Sequence, residues 1–132
     1  MEFRDYLKLR FGISIPKWLI FEKKGDRILA YVKDVKFIKD YDTFGISAGK
    51  STSFGYKPST EFLQMFGDVS MKNVVFVSND EAKEIAKGKD IEVKDYIATD
   101  GYVIVMFEGK VLGCGLLKKN KLINQIPKSK RI

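Results

Sequence analysis

Residues 102–117 read Tyr-Val-Ile-Val-Met-Phe-Glu-Gly-Lys-Val-Leu-Gly-Cys-Gly-Leu-Leu. Two apolar runs, Tyr102 to Phe107 and Val111 to Leu117, flank Glu108-Gly109-Lys110. A glycine-centred break between two runs rich in β-branched and aromatic residues specifies a hairpin. Lys119-Asn120 supplies a second turn, and Leu122-Ile123 begins a short third strand. Gly113 and Gly115 flank Cys114 within the second strand. Glycines at such positions admit close backbone approach in a tight barrel. The alternative is that they admit a nucleic-acid backbone.

Upstream, the pattern alternates between helices and strands. Residues 2–11 have helical spacing through Phe3, Tyr6, Leu7 and Arg10, and Gly12 stops the helix. Trp18 to Phe21 and Ile28 to Val32 flank Lys23-Lys24-Gly25-Asp26, which predicts a second hairpin. Phe37-Ile38 is a candidate edge segment, and Phe44 to Ser47 reads as a strand. Residues 49–57 read as a loop or a ragged strand pair. Pro58 is expected to open a helix over 59–66 with Gly67 as its cap. Asn73 to Val77 reads as a strand buried on both faces. Ser78-Asn79-Asp80-Glu81 is a capping-box pattern opening a helix that Gly88 ends. Ile91 and Val93, then Tyr96 and Ile97, extend the strand content. This order predicts an α+β fold with a mixed or antiparallel sheet and a small barrel.

The chain has 132 residues, a net charge of +7, one Cys and no His. Its length fits one domain or two small subdomains. The missing His excludes histidine bases and histidine metal sites. One Cys allows neither an internal disulfide nor a multi-cysteine zinc site. No apolar run is long enough for a membrane span, and the N-terminus lacks the apolar core of a signal peptide. A cytoplasmic protein is the resulting expectation. Residues 1–100 carry 17 basic and 16 acidic side chains, whereas 101–132 carry seven basic and one acidic. A basic surface so concentrated attracts polyanions, because phosphate neutralisation releases counterions. Pinned lysines beside Asn124 and Gln125 suit phosphate and 2′-hydroxyl contacts.

Motifs for catalysis are weak. Gly45-Ile-Ser-Ala-Gly49-Lys50-Ser51 approximates a phosphate-binding P-loop but is one residue short, and no helical pattern follows it. Cys114 lacks a base and reads as a buried small hydrophobe. Asp40, Asp42, Asp80, Glu81 and Glu84 have no companion metal pattern and read as caps and solvated faces.

An ordered set of residues resembles a known family. Lys57-Pro-Ser-Thr60, Phe62 to Gly67, Lys72-Asn-Val-Val75, Glu81-Ala82 and Lys87-Gly88 come first. Gly101 to Val105, Gly109, Leu112-Gly113, Gly115 and Asn124-Gln-Ile-Pro-Lys-Ser-Lys-Arg131 follow. Together they are similar to the PUA-like domain associated with Fmu/Sun-type RNA cytosine-5 methyltransferases. The match covers residues 40–132, with 1–39 resembling more loosely the small module preceding that domain in archaeal stand-alone proteins. The resemblance implies an N-terminal α+β module over 1–56 and a PUA-like β pseudo-barrel with packed helices over 57–132. It implies a non-catalytic RNA-binding protein acting in rRNA or tRNA modification or ribosome biogenesis, with structured RNA as partner and no cofactor. In that family, catalysis and S-adenosylmethionine binding belong to a separate Rossmann-type domain. Lys118, Lys119, Lys121, Lys128, Lys130 and Arg131 are expected to contact phosphates, and Asn124 to hydrogen-bond sugar or base. In PUA domains the helix-to-strand glycine loop lies near the RNA, which adds Lys87, Gly88 and Lys89. The alternative is an adaptor that docks on a ribosome-assembly factor or a separate RNA methyltransferase through an exposed apolar patch.

Overall fold

The computed structural model describes residues 1–32, 46–67, 72–94 and 96–127. The candidate segment Phe37-Ile38, the start of the strand read at Phe44, and the basic residues Lys128, Lys130 and Arg131 lie outside them. The described elements are α1 (Phe3–Phe11), β1 (Leu19–Lys24), β2 (Arg27–Val32), β3 (Ile46–Thr52), β4 (Gly55–Pro58), α2 (Thr60–Phe66), β5 (Val74–Phe76) and α3 (Asn79–Ala86). β6 (Ile91–Glu92), β7 (Tyr96–Ile97), β8 (Gly101–Phe107), β9 (Lys110–Lys118) and β10 (Lys121–Asn124) follow.

The strands form two sheets, one ordered β1-β2-β3-β4 and one ordered β6-β10-β9-β8-β5-β7. Among the described strands only β5 and β8 run parallel, so the second sheet is mixed and the fold is α+β. Residues 49–57, read as a loop or a ragged pair, are an antiparallel pair with Lys50 opposite Lys57. The raggedness is real one strand earlier. Ile28 faces Gly49 while Leu29 faces Ser47, leaving Ala48 as a bulge. Gly49 is needed there because a Cβ would fall 2.5 Å from the Lys57 carbonyl oxygen.

Local signals account for most boundaries. α1 buries Phe3, Leu7 and Phe11, spaced four apart on one face. It stops at Gly12, whose φ of 71° is left-handed; the Gly12 N–H donates to Lys8 O and the Ile13 N–H to Leu7 O. Pro58 closes β4 instead of opening α2. Ser59 is the cap of that helix, accepting from the Phe62 N–H. The capping box at α3 forms in full, with Ser78 and Glu81 satisfying each other's backbone N–H groups. The β8–β9 turn has positive φ at both Glu108 and Gly109, the type I′ geometry that matches strand twist.

The core lies on both faces of the second sheet. Tyr102, Ile104, Met106, Cys114 and Leu116 pack into a cluster with α1, α2 and the first sheet. Val103, Val105 and Leu117 point the other way, toward Ile85 of α3, Leu122 and Ile126. Coverage on both sides explains why β8 is a near-continuous apolar run. β5 meets that expectation at Val74 and Val75 but not at Phe76, which is 47% exposed. Residues from both sides of position 56 share the first cluster. Arg10 adds a polar tie across the same boundary. Its guanidinium donates to Tyr102 O (2.8 Å), Thr99 Oγ1 (2.6 Å) and Thr99 O (2.8 Å). Asn73 completes the tie by accepting from the Thr99 N–H (2.9 Å) and donating to Arg10 O.

Candidate nucleic-acid interface

The β9–β10 turn is built from outside as well as within. Lys118 and Lys121 are cross-strand partners that flank Lys119-Asn120, and all four residues are exposed. Lys119 has a φ of 55°, and its N–H donates to Asp100 Oδ1 at 2.9 Å. Asn120 receives the Tyr96 hydroxyl on Oδ1 at 2.6 Å and the Val93 N–H on its carbonyl at 2.8 Å. The turn is therefore held from three sides. Cations on it keep a fixed spacing, so less ordering entropy is lost when a ligand binds.

An aromatic group lies beside these cations. Phe54, in the β3–β4 turn, is 50% exposed, and the Lys118 ammonium sits 4.7 Å from its ring centroid. Tyr102 meets the same ring edge-on at 6.4 Å, and its hydroxyl is 3.0 Å from Thr52 Oγ1. Phe54, Gly101, Lys118 and Lys119 line a shallow recess. Exposed Lys94 follows Val93 next to the turn. Two carboxylates moderate the charge. Asp100 caps Lys119, and Glu92 faces Lys121 across β6. A cation cluster with a half-exposed ring can hold phosphates and stack an unpaired base.

The remaining expected residues are placed differently. Lys87, Gly88 and Lys89 follow α3, and Gly88 adopts a φ of 90°. Glu84 lies 4.0 Å from the Lys87 ammonium and 3.0 Å from that of Lys89. The Lys89 hydrogen bond and charge hold the Glu84 carboxyl below its usual range. This loop is separated from the Lys118–Lys121 turn by the length of β10, roughly 10 Å.

Asn124 makes several bonds within the chain. Its amide donates to Ile85 O (2.8 Å) and Lys89 O (3.0 Å), and its Oδ1 accepts the Ile126 N–H (2.8 Å). Both amide hydrogens are used inside the chain, so Asn124 clamps the α3 terminus to β10 and has no donor left for sugar or base. The glycines of β9 also serve packing. A Cβ on Gly115 would fall 2.4 Å from Leu122 Cδ1, and one on Gly113 would fall 3.1 Å from Thr60 Oγ1. The chain's own side chains fill the space that a nucleic-acid backbone would need.

Three residues of the turn cluster escaped the sequence reading: Phe54, Tyr96 and Lys94. Tyr96 was visible as strand, and Phe54 stood out only as an aromatic in a polar stretch. The meeting of Tyr96 with Asn120 and of Phe54 with Lys118 depends on tertiary pairing.

The two features with a catalytic reading in the sequence take structural places. The P-loop-like segment is strand from Ile46 on. Burial pushes the Cys114 thiol up to about 12, which removes its nucleophilic form at neutral pH. No cluster of metal-ligating side chains occurs among the described residues, and none of the described helices is long and apolar enough to cross a membrane.

Comparison with known proteins finds relatives of this chain. Residues 72–132 match the family described as the methyltransferase RsmF PUA domain. Ribosomal RNA small subunit methyltransferase F of Psychromonas ingrahamii is 25% identical over 130 residues, covering 94% of this chain and 27% of the relative. The protein of the same name from Shewanella sp. (strain W3-18-1) is 29% identical over 130 residues, covering 95% and 27%. That from Aeromonas hydrophila is 25% identical over 118 residues, covering 89% and 23%. The chain spans about a quarter of the length of these curated relatives. They are bacterial, so the archaeal setting expected from the sequence is not supported.

Proposed function

We propose, from the match of residues 72–132 to the methyltransferase RsmF PUA domain, that this protein binds structured RNA without itself catalysing a reaction. The family suggests RNA binding and rRNA modification. In our reading the protein works in the cytoplasm and supplies affinity for ribosomal RNA, while methyl transfer belongs to residues outside these 132. The observation that carries the reading is the pinned turn, with Lys118, Lys119 and Lys121 held together beside the half-exposed ring of Phe54. Lys128, Lys130 and Arg131 add charge in sequence directly after Pro127.

The test is a gel shift with fragments of small-subunit rRNA at two salt concentrations. Neutralising about five phosphates predicts a log–log salt slope of roughly −3.5 to −4.5. The K118A/K119A/K121A variant is expected to bind all fragments more weakly and to reduce the slope by about 2 to 3. Binding that is absent at low salt, or indifferent to salt, would overturn the proposal.

A further inference from the structure

The first sheet carries an arrangement that fold stability alone does not call for. Lys24 faces Arg27 across β1–β2, Arg27 faces Lys50 across β2–β3, and Lys50 faces Lys57 across β3–β4. Directly opposed residues share a face, so four cations run in one row across the whole sheet. Like charges placed opposite one another destabilise a sheet. Among the described residues, Arg27, Lys50 and Lys57 are not ion-paired. Glu22, the next residue of β1 on this face, accepts the Tyr31 hydroxyl. The row crosses three strand spacings, about 14 Å, and so can meet several successive phosphates of one strand.

The same three cations line a recess with Ser47, Gln125 and Pro127, and Glu61 is its one lining carboxylate among the described residues. Ser47 lends its carbonyl to the Ser59 hydroxyl at 2.6 Å, which fixes the floor between β3 and α2. Pro127 is the last described residue, and Lys128 follows it in sequence. Pro127, which ends the described chain, is thus part of this recess.

We infer that Arg27, Lys50 and Lys57 form a second phosphate-binding track, which takes the sugar–phosphate backbone of the RNA whose other contacts lie at the Lys118–Lys121 turn. This rests on the RNA-binding reading above and adds a site to it. RNA is favoured over an acidic protein because the cations form a line at regular strand spacing. A linear run of cations can follow a linear polyanion.

The experiment uses the full chain and a fluorescein-labelled RNA hairpin of about 25 nucleotides, read by anisotropy at roughly 50 to 200 mM KCl. The R27Q/K50Q/K57Q variant is expected to make the log–log salt slope shallower by about 2 to 3. Single K50Q is expected to change it by about 0.7 to 0.9 and to raise the melting temperature, because it relieves two like-charge contacts. That rise separates a built ligand site from a stabilising surface, and K50Q keeps the test open if the triple variant folds poorly. An unchanged slope in the row variants, with a shallower one in K118A/K119A/K121A, would overturn this inference and leave the turn reading intact. The converse pattern would support the row and overturn the turn. Row-dependent binding of poly-L-glutamate without binding of the hairpin would make the surface an acidic-protein site and overturn the assignment to RNA. No binding of either polymer by the unaltered protein would overturn both readings.

Discussion

Replacing Arg10 by Met removes three donors from the junction between α1 and the second sheet while keeping the aliphatic stem in place. The guanidinium reaches Tyr102 O at 2.8 Å, where the contact is partly buried, and Thr99 through two more exposed contacts. Water can replace the donors at Thr99, so the main cost is the Tyr102 carbonyl. A charged hydrogen bond of that kind contributes about 1.5–3 kcal/mol, and we expect R10M to lose about 2 kcal/mol. Urea denaturation followed by far-UV circular dichroism should show the midpoint falling by about 1 M, and the melting temperature by roughly 6–10 °C. Arg10→Lys should recover little, since one ammonium cannot span three acceptors in a fixed fork. Asn73 shares Thr99 with Arg10, so a double-mutant cycle of R10M with N73A should give a coupling of about 0.5 kcal/mol or more. A loss below about 0.5 kcal/mol, or additive single effects, would refute the idea that Arg10, Asn73 and Thr99 act as one clamp.

Two further predictions concern groups inside the fold. Burial pushes both Cys114 and Tyr6 up to about 12, so both stay neutral in the folded chain while the unfolded chain ionises earlier. Their folded values are raised, so the associated stability is present below the unfolded values and is lost as pH rises through the window up to 12. Thermal melts should therefore fall progressively above about pH 9, more shallowly in C114V, and the native thiol should resist Ellman's reagent at pH 8 until denaturant is added. Asn124→Ala should cost about 1–3 kcal/mol and speed amide exchange around Lys87–Lys89, because Ile85 O and Lys89 O lose their donor. If the exchange is unaltered, the clamp role is wrong.

Local signals and long-range pairing divide what could be read from the chain. The capping box at Ser78, the Gly12 stop and the type I′ turn at Glu108-Gly109 depend on a few neighbouring residues, so their chemistry is legible in the string. The same holds for the cluster of lysines at Lys118–Lys121, since a two-residue turn brings them together. The clamp made by Asn124 was not legible because its partners, Ile85 and Lys89, lie more than thirty positions away. The cation row was missed for the same reason. Lys24, Arg27, Lys50 and Lys57 look unremarkable in sequence, and a single-residue bulge at Ala48 decides which face the β3 lysine shares with its neighbours. Pro58 shows the limit of residue preference. It suits the first turn of a helix, but here it ends a strand and leaves the capping to Ser59.

The packing of α1 has a consequence for how such a segment is inherited. Phe3, Leu7 and Phe11 share one cluster with Ile104 and Cys114. A gene fragment beginning at residue 72 would expose that apolar surface and forfeit the Arg10 tie. Relatives align across 94–95% of the chain, well beyond residues 72–132. The segment shared with these relatives thus includes α1 and the first sheet as well as residues 72–132, and a break between the two parts is expected to cost stability through the lost packing of Phe3, Leu7 and Phe11.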